Sequence, residues 1–175
     1  MKQTKNIEIK AKCNDLSPIR QILLENKADF KGTDHQVDTY FNAVYGRLKL
    51  REGNIENNLI HYNRPDQSGP KQSDFSLFKT KNGSGLKDLL SKALGVKIVV
   101  DKKREIYFID QVKFHLDTVK GLGTFIEIEV IDMEGDRSLE SMNVLCQIYL
   151  KLFGVHSKNL IEHSYSDMIL SRNVN

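Results

Sequence analysis

Apolar and polar residues alternate along most of this chain. The rhythm is two residues, the period of a β-strand. Near the N-terminus Ile7, Ile9, Ala11 and Cys13 alternate with Asn6, Glu8, Lys10 and Lys12. Later, Leu48 and Leu50 alternate with Arg47, Lys49 and Arg51, and Ile126, Ile128 and Val130 with Phe125, Glu127, Glu129 and Ile131. Runs of this kind, bounded by Gly, Pro, Asn and Ser clusters, predict strands over 5–13, 36–44, 46–52, 58–64, 74–80, 97–109, 111–118 and 124–132. Gly121-Leu122-Gly123 joins two such runs, so it reads as a hairpin turn and not as a phosphate loop.

The helical period appears in four places. One helix is expected from Ser17-Pro18, with Ser17 as its cap, and a second from about 85 to 94, with Ser84 as cap and Gly95 as stop. A third covers about 138–153, with Leu139, Met142, Leu145, Ile148, Tyr149 and Leu152 on one stripe. A fourth covers about 158–171, capped by Ser157. Eight strands with mostly local connections predict an α+β fold. The sheet is an eight-stranded antiparallel β-barrel, or tunnel, with helices packed outside.

Charge changes this picture. A half-buried strand normally turns its charged face to water. Here Arg47, Lys49 and Arg51 crowd three cations on one face, and Glu127 and Glu129 crowd two acids on another. Like charges side by side repel unless something of opposite sign lies near. The charged faces are therefore expected to converge inside the barrel, leaving its apolar faces for the helices. By strand alternation the candidate lining holds Lys10, Arg47, Lys49, Arg51, Arg64, Lys102 and Arg104 against Glu8, Asp117, Glu127 and Glu129. Lys113, His115 and Asp117 share a face of the seventh strand.

Size and composition add limits. The chain has 175 residues, 39% hydrophobic and 28% charged, with a net charge of +3. This fits one folded domain over 1–175 and no disordered class. No apolar run approaches the roughly 20 residues of a membrane span, and Met1 to Asn6 lacks the apolar core of a signal peptide. A cytoplasmic protein with no membrane partner is expected. Cys13 and Cys146 have no Cys or His at ligand spacing and read as reduced thiols.

A cation-rich, acid-containing interior suits a triphosphate and a divalent metal. Arginine grips phosphate oxygens with two parallel bonds and lysine adds point charge. Carboxylate oxygens suit Mg²⁺ or Mn²⁺. Nucleic acid is not an expected partner, since carboxylates stand among the cations and no stacking platform is evident.

These residues also resemble a known superfamily. Asn6-Ile7-Glu8-Ile9-Lys10 resembles the ExExK signature of the CYTH, or triphosphate tunnel, fold, which includes class IV adenylyl cyclases, thiamine triphosphatases and inorganic triphosphatases. Similar matches follow in family order at Gln36 to Phe41, Gly46 to Glu52, Tyr62 to Pro65, Lys102 to Tyr107, Asp117 to Glu129 and Ser164 to Asp167. The resemblance implies that Arg47, Lys49, Arg51, Lys102 and Arg104 hold a triphosphate. It implies that Glu8, Glu127 and Glu129 hold the metal, with Lys10 between. Arg64 and Asp117 join these sets from the strand pattern, and Lys10, Glu8 and Glu127 are the expected catalytic groups. One position departs from the signature: its first Glu is Asn6 here, which offers a carbonyl oxygen without charge. Three activities are compatible. The first is a class IV adenylyl cyclase, turning ATP into cyclic AMP and pyrophosphate. The others are an inorganic or thiamine-type triphosphatase and a non-catalytic polyphosphate or nucleotide-binding module. Related barrels suggest a homodimer by analogy.

Overall fold

A computed structural model describes residues 5–63, 71–72, 74–81, 85–132 and 136–173. Arg64 and Ser84 lie outside these residues. The strands are β1 (Lys5–Lys12), β2 (Asp29–Phe41), β3 (Arg47–Glu52), β4 (Asn58–Asn63), β5 (Lys71–Gln72), β6 (Asp74–Lys79), β7 (Val96–Ile109), β8 (Val112–Val119) and β9 (Gly123–Asp132). The helices are α1 (Ser17–Glu25), α2 (Leu86–Leu94), α3 (Leu139–Leu152) and α4 (Tyr165–Asn173).

All strands join one antiparallel sheet in the order β5-β1-β9-β8-β7-β2-β3-β4-β6. The two edge strands are one residue apart in sequence. Gln72 pairs with Ile7 of β1, while Asp74 pairs with Asn63 of β4. Two residues span at most about 7 Å, so the sheet must curl until its edges meet. The α+β barrel expected from the alternation is therefore the observed fold, with β5 as a short ninth strand.

The outer face of β1, β8 and β9 is apolar and is covered by helices. Ile9, Phe114, Leu116, Ile126 and Ile128 pack with Ile19 and Leu23 of α1 and Met142, Cys146 and Leu150 of α3. Each fully buried side chain of this kind contributes roughly 1.5–3 kcal/mol. A second cluster closes one end of the barrel. There Phe125, Leu122, Val100, Tyr40 and Tyr62 pack with Tyr165 at the start of α4. Both cysteines are free; Cys146 is buried and Cys13 half-buried.

Several local expectations are corrected. β2 starts at Asp29, not near 36, although 29–35 is polar. Its pairing with the long β7 overrides local propensity. The register shifts between Phe30 and Gly32, and Gly32 takes φ 124°, open to glycine at little cost. Ser17 does not cap α1; its own N–H donates to Asp15 Oδ1, and Leu16 holds the cap position. Gly85 precedes α2 in the left-handed region. On α3 the buried stripe is Met142, Cys146 and Leu150, while Leu139, Ile148 and Leu152 are exposed. The expected fourth helix splits into a 3₁₀ turn at Ser157–Asn159 and α4 from Tyr165. No helix among the described residues is long and apolar enough to cross a membrane.

Candidate functional site

Inward positions of β1, β2, β3, β4, β7, β8 and β9 surround one cavity of about 200 Å³. On one wall, β3 points Lys49 and Arg51 at β2, where register sets Asp38 opposite Arg51. Arg51 donates to both oxygens of Asp38, from Nε at 2.8 Å and Nη2 at 3.0 Å. Lys49 Nζ reaches Asp38 Oδ2 at 3.0 Å, and Lys102 Nζ from β7 reaches the same oxygen at 2.8 Å. One carboxylate thus serves three cations, and Arg51 has a second carboxylate partner in Glu56, 2.9 Å from Nη1. Burial pushes the Lys102 ammonium down to about 7; Asp38 opposes this, and Arg51, Arg104 and Lys49 add to it.

The opposite wall comes from β7, β8, β9 and β1. Arg104 donates to both oxygens of Asp117 and to Glu127 Oε2 at 2.6 Å. Lys10 lies 3.0 Å from Glu127 Oε1, and His115 Nδ1 lies 3.1 Å from Glu127 Oε2. Burial opposes ionisation of Glu127, but Arg104 and Lys10 outweigh it and hold the carboxyl well below its ordinary range. The His115 imidazole is pushed down to about 4, first by burial and then by Arg104 and Lys113. His115 is therefore neutral near pH 7, with Nδ1–H donating to Glu127. Its Nε2 is buried without a hydrogen-bond partner.

Glu8 and Glu129 are direct partners across β1 and β9. Enclosure and then Lys113 act in opposite senses on Glu129; Glu8 raises its pKa further, and the net shift is upward. Asn6 Nδ2 donates to Glu129 Oε1 at 2.8 Å, and the buried Asn6 Oδ1 lacks a partner. Among the described residues, no three His, Cys, Asp or Glu side chains already form a metal cluster. Two repelling acids beside an unpartnered carbonyl oxygen nevertheless suit a hard divalent cation.

The structure therefore brings Glu8, Lys10, Lys49, Arg51, Lys102, Arg104, Glu127 and Glu129 to one cavity. Two other expected residues stand apart. Asp117 is fully buried behind Arg104, with Tyr165 OH donating to Oδ2 at 2.8 Å. It holds Arg104 and does not line the cavity. Arg47 turns toward α4, where Nη2 donates to Asp167 at 2.9 Å, and it lines a neighbouring pocket with Ser166. The sequence reading missed Asp38, Glu56 and Tyr165 as parts of this interior, and it set Lys113 on the face of Asp117 without counting it in the lining. Alternation from Gln36 would have found Asp38. Glu56 carries no sequence signal, since only the folded β3–β4 loop brings it inward.

The CYTH domain model matches residues 4–165. The chain belongs to the CYTH family. It is 28% identical over 178 residues to a candidate adenylate cyclase of Methanocaldococcus jannaschii, covering 93% of this chain and 97% of that protein. Among solved structures, a Pyrococcus horikoshii protein superposes with a TM-score of 0.79 at 23% identity, covering 93% of this chain and 98% of that one. A candidate adenylyl cyclase from Hippeastrum, described as having a dominant triphosphatase activity, gives a TM-score of 0.60 at 18% identity, covering 97% of this chain and 96% of that one. Proteins of this fold thus carry both names.

Proposed function

We propose that this CYTH protein is a divalent-metal-dependent enzyme acting on a nucleoside triphosphate, cyclising ATP to cyclic AMP and pyrophosphate. The observation that carries this reading is a row of cations that Asp38 and Glu56 only partly offset, with an apolar surface beside it. Lys49, Arg51 and Lys102 share Asp38. Next to Lys49 in the ladder, Ile60 of β4 pairs with Leu77 of β6, and both line the same cavity with Tyr62. Phosphates suit the first surface and a purine ring the second.

Glu8 and Glu129 would hold Mg²⁺ or Mn²⁺, with Asn6 Oδ1 able to add an uncharged oxygen. When bound, the metal supplies Lewis-acid polarisation of a phosphoryl oxygen. Lys49, Arg51 and Lys102 bind the phosphate chain, exchanging Asp38 for ligand oxygens. Arg104, fixed by Asp117, adds a guanidinium aimed from the opposite side. Lys10 and Glu127 form a charge pair beside the reacting phosphoryl, and Tyr165 keeps water from the α4 end. Positioning and charge stabilisation then supply most of the rate, as in phosphoryl transfer generally.

His115 favours a second reading, hydrolysis of the terminal phosphate. Its unpartnered Nε2 can accept a hydrogen bond from an attacking water and orient it while Glu127 fixes the ring; a pKa of about 4 makes it a positioning group and not a strong base. Incubation with Mg²⁺ or Mn²⁺ and ATP, then with tripolyphosphate, decides between the two. Cyclic AMP with pyrophosphate supports the cyclase. Orthophosphate supports the hydrolase and overturns the cyclase, and tight binding without turnover overturns both.

A further inference from the structure

The loop between β3 and β4 places a carboxylate at the end of the cation row. Glu56 Oε2 accepts from Arg51 Nη1 at 2.9 Å and from Gln36 Nε2 at 3.1 Å, and Oε1 accepts from Lys113 Nζ at 2.6 Å. Glu56 lines the same cavity as Lys49 and Lys102. It occupies the donors that an additional phosphoryl group would use, and it presents negative charge to any group approaching them.

The loop is fastened. Asp34, fully buried on β2, accepts the backbone N–H groups of Asn54 at 2.6 Å, Ile55 at 2.9 Å and Glu56 at 3.0 Å. Gly53 permits the approach, because a Cβ there would lie 2.7 Å from the Asp34 carboxylate and 2.8 Å from Glu56 O. Asn57 ties the loop back on itself, its Nδ2 donating to Gly53 O at 2.9 Å. A loop so held is a fixed wall, not a latch that swings aside. The other end is lined by Tyr165. Along β8 the inward residues run from Lys113, held by Glu56, to Asp117, held by Tyr165, whose ring packs on Phe125.

We propose that Glu56 sets the length of phosphate chain the cavity accepts, admitting three phosphoryl groups and rejecting a fourth. This rests on the triphosphate reading above and adds a specificity determinant outside the cation row. Charge alone would rank a longer polyphosphate as the tighter ligand, since it carries more negative charge. The fixed carboxylate reverses that order.

The test is calorimetric titration with inorganic tripolyphosphate and tetrapolyphosphate, with Ca²⁺ and again in EDTA. Wild-type protein should bind tripolyphosphate more tightly than tetrapolyphosphate. Glu56→Gln and Glu56→Ala should keep tripolyphosphate binding and shift the affinity ratio toward the longer chain by about tenfold or more, as expected for removing one like-charge contact. Equal or tighter wild-type binding of tetrapolyphosphate overturns the proposal. So does an unchanged ratio in the variants. If neither variant folds, the wild-type ratio alone decides. Failure of wild type to bind tripolyphosphate under either condition overturns the triphosphate reading instead.

Discussion

Glu129 and Lys102 are two cavity residues whose charged forms their surroundings disfavour. Glu129 faces Glu8 across the ladder, and its carboxyl is raised above the ordinary value, with burial the first cause. A carboxyl raised in the folded state contributes stability below its unfolded pKa and loses it as pH rises through the folded one. As pH rises, Glu129 therefore comes to oppose folding when no cation is bound. Glu129→Gln should raise the melting temperature in EDTA and remove most of the extra stability gained from Mn²⁺, both read in one set of thermal melts. Lys102 titrates near 7, far below a free lysine, because it is buried. A bound triphosphate would stabilise its charged form. Binding at pH 8 should therefore take up close to one proton, measurable as a heat that varies with buffer ionisation enthalpy; Lys102→Met should abolish the uptake. Most of the cation row was legible in the sequence because strand period assigns each side chain a face. Asp117 was placed on the right face, yet its depth behind Arg104 depends on Tyr165, more than forty residues away in sequence. Arg47 has the right parity too, and Asp167 draws it aside.

At the scale of elements, the strands were legible and the helix contacts were not. Alternation is a local property, whereas the buried stripe of α3 is chosen by the curvature of the sheet beneath it. That is why Met142, Cys146 and Leu150 are covered while Ile148 and Leu152 stay exposed. The β3–β4 loop is the element most open to test. Asp34 accepts three loop N–H groups, so Asp34→Asn turns a donor toward at least one of them. The expected cost is about 1–3 kcal/mol, read by urea unfolding. Hydrogen exchange at Asn54, Ile55 and Glu56 should accelerate more than at the β8–β9 ladder.

For the molecule as a whole, binding and folding share one set of charges. The cation row is assembled only in the closed barrel, so the unfolded chain offers no comparable site. Tripolyphosphate at about 100 times its dissociation constant should then stabilise the fold by about 2.7 kcal/mol, read as a rise of several degrees in the melting temperature. Membership of the CYTH family leaves the choice of reaction to a few interior groups, and those are where substitution will be informative.

Asp38 has one more effect. An incoming anion must displace an internal rival already gripped by Lys49, Arg51 and Lys102. Chloride offers a single point of contact and cannot replace a carboxylate that meets three cations at once. A ligand with several linked phosphoryl groups meets all three cations together. On the triphosphate reading proposed above, the barrel would filter its visitors by valence before it recognised anything else about them.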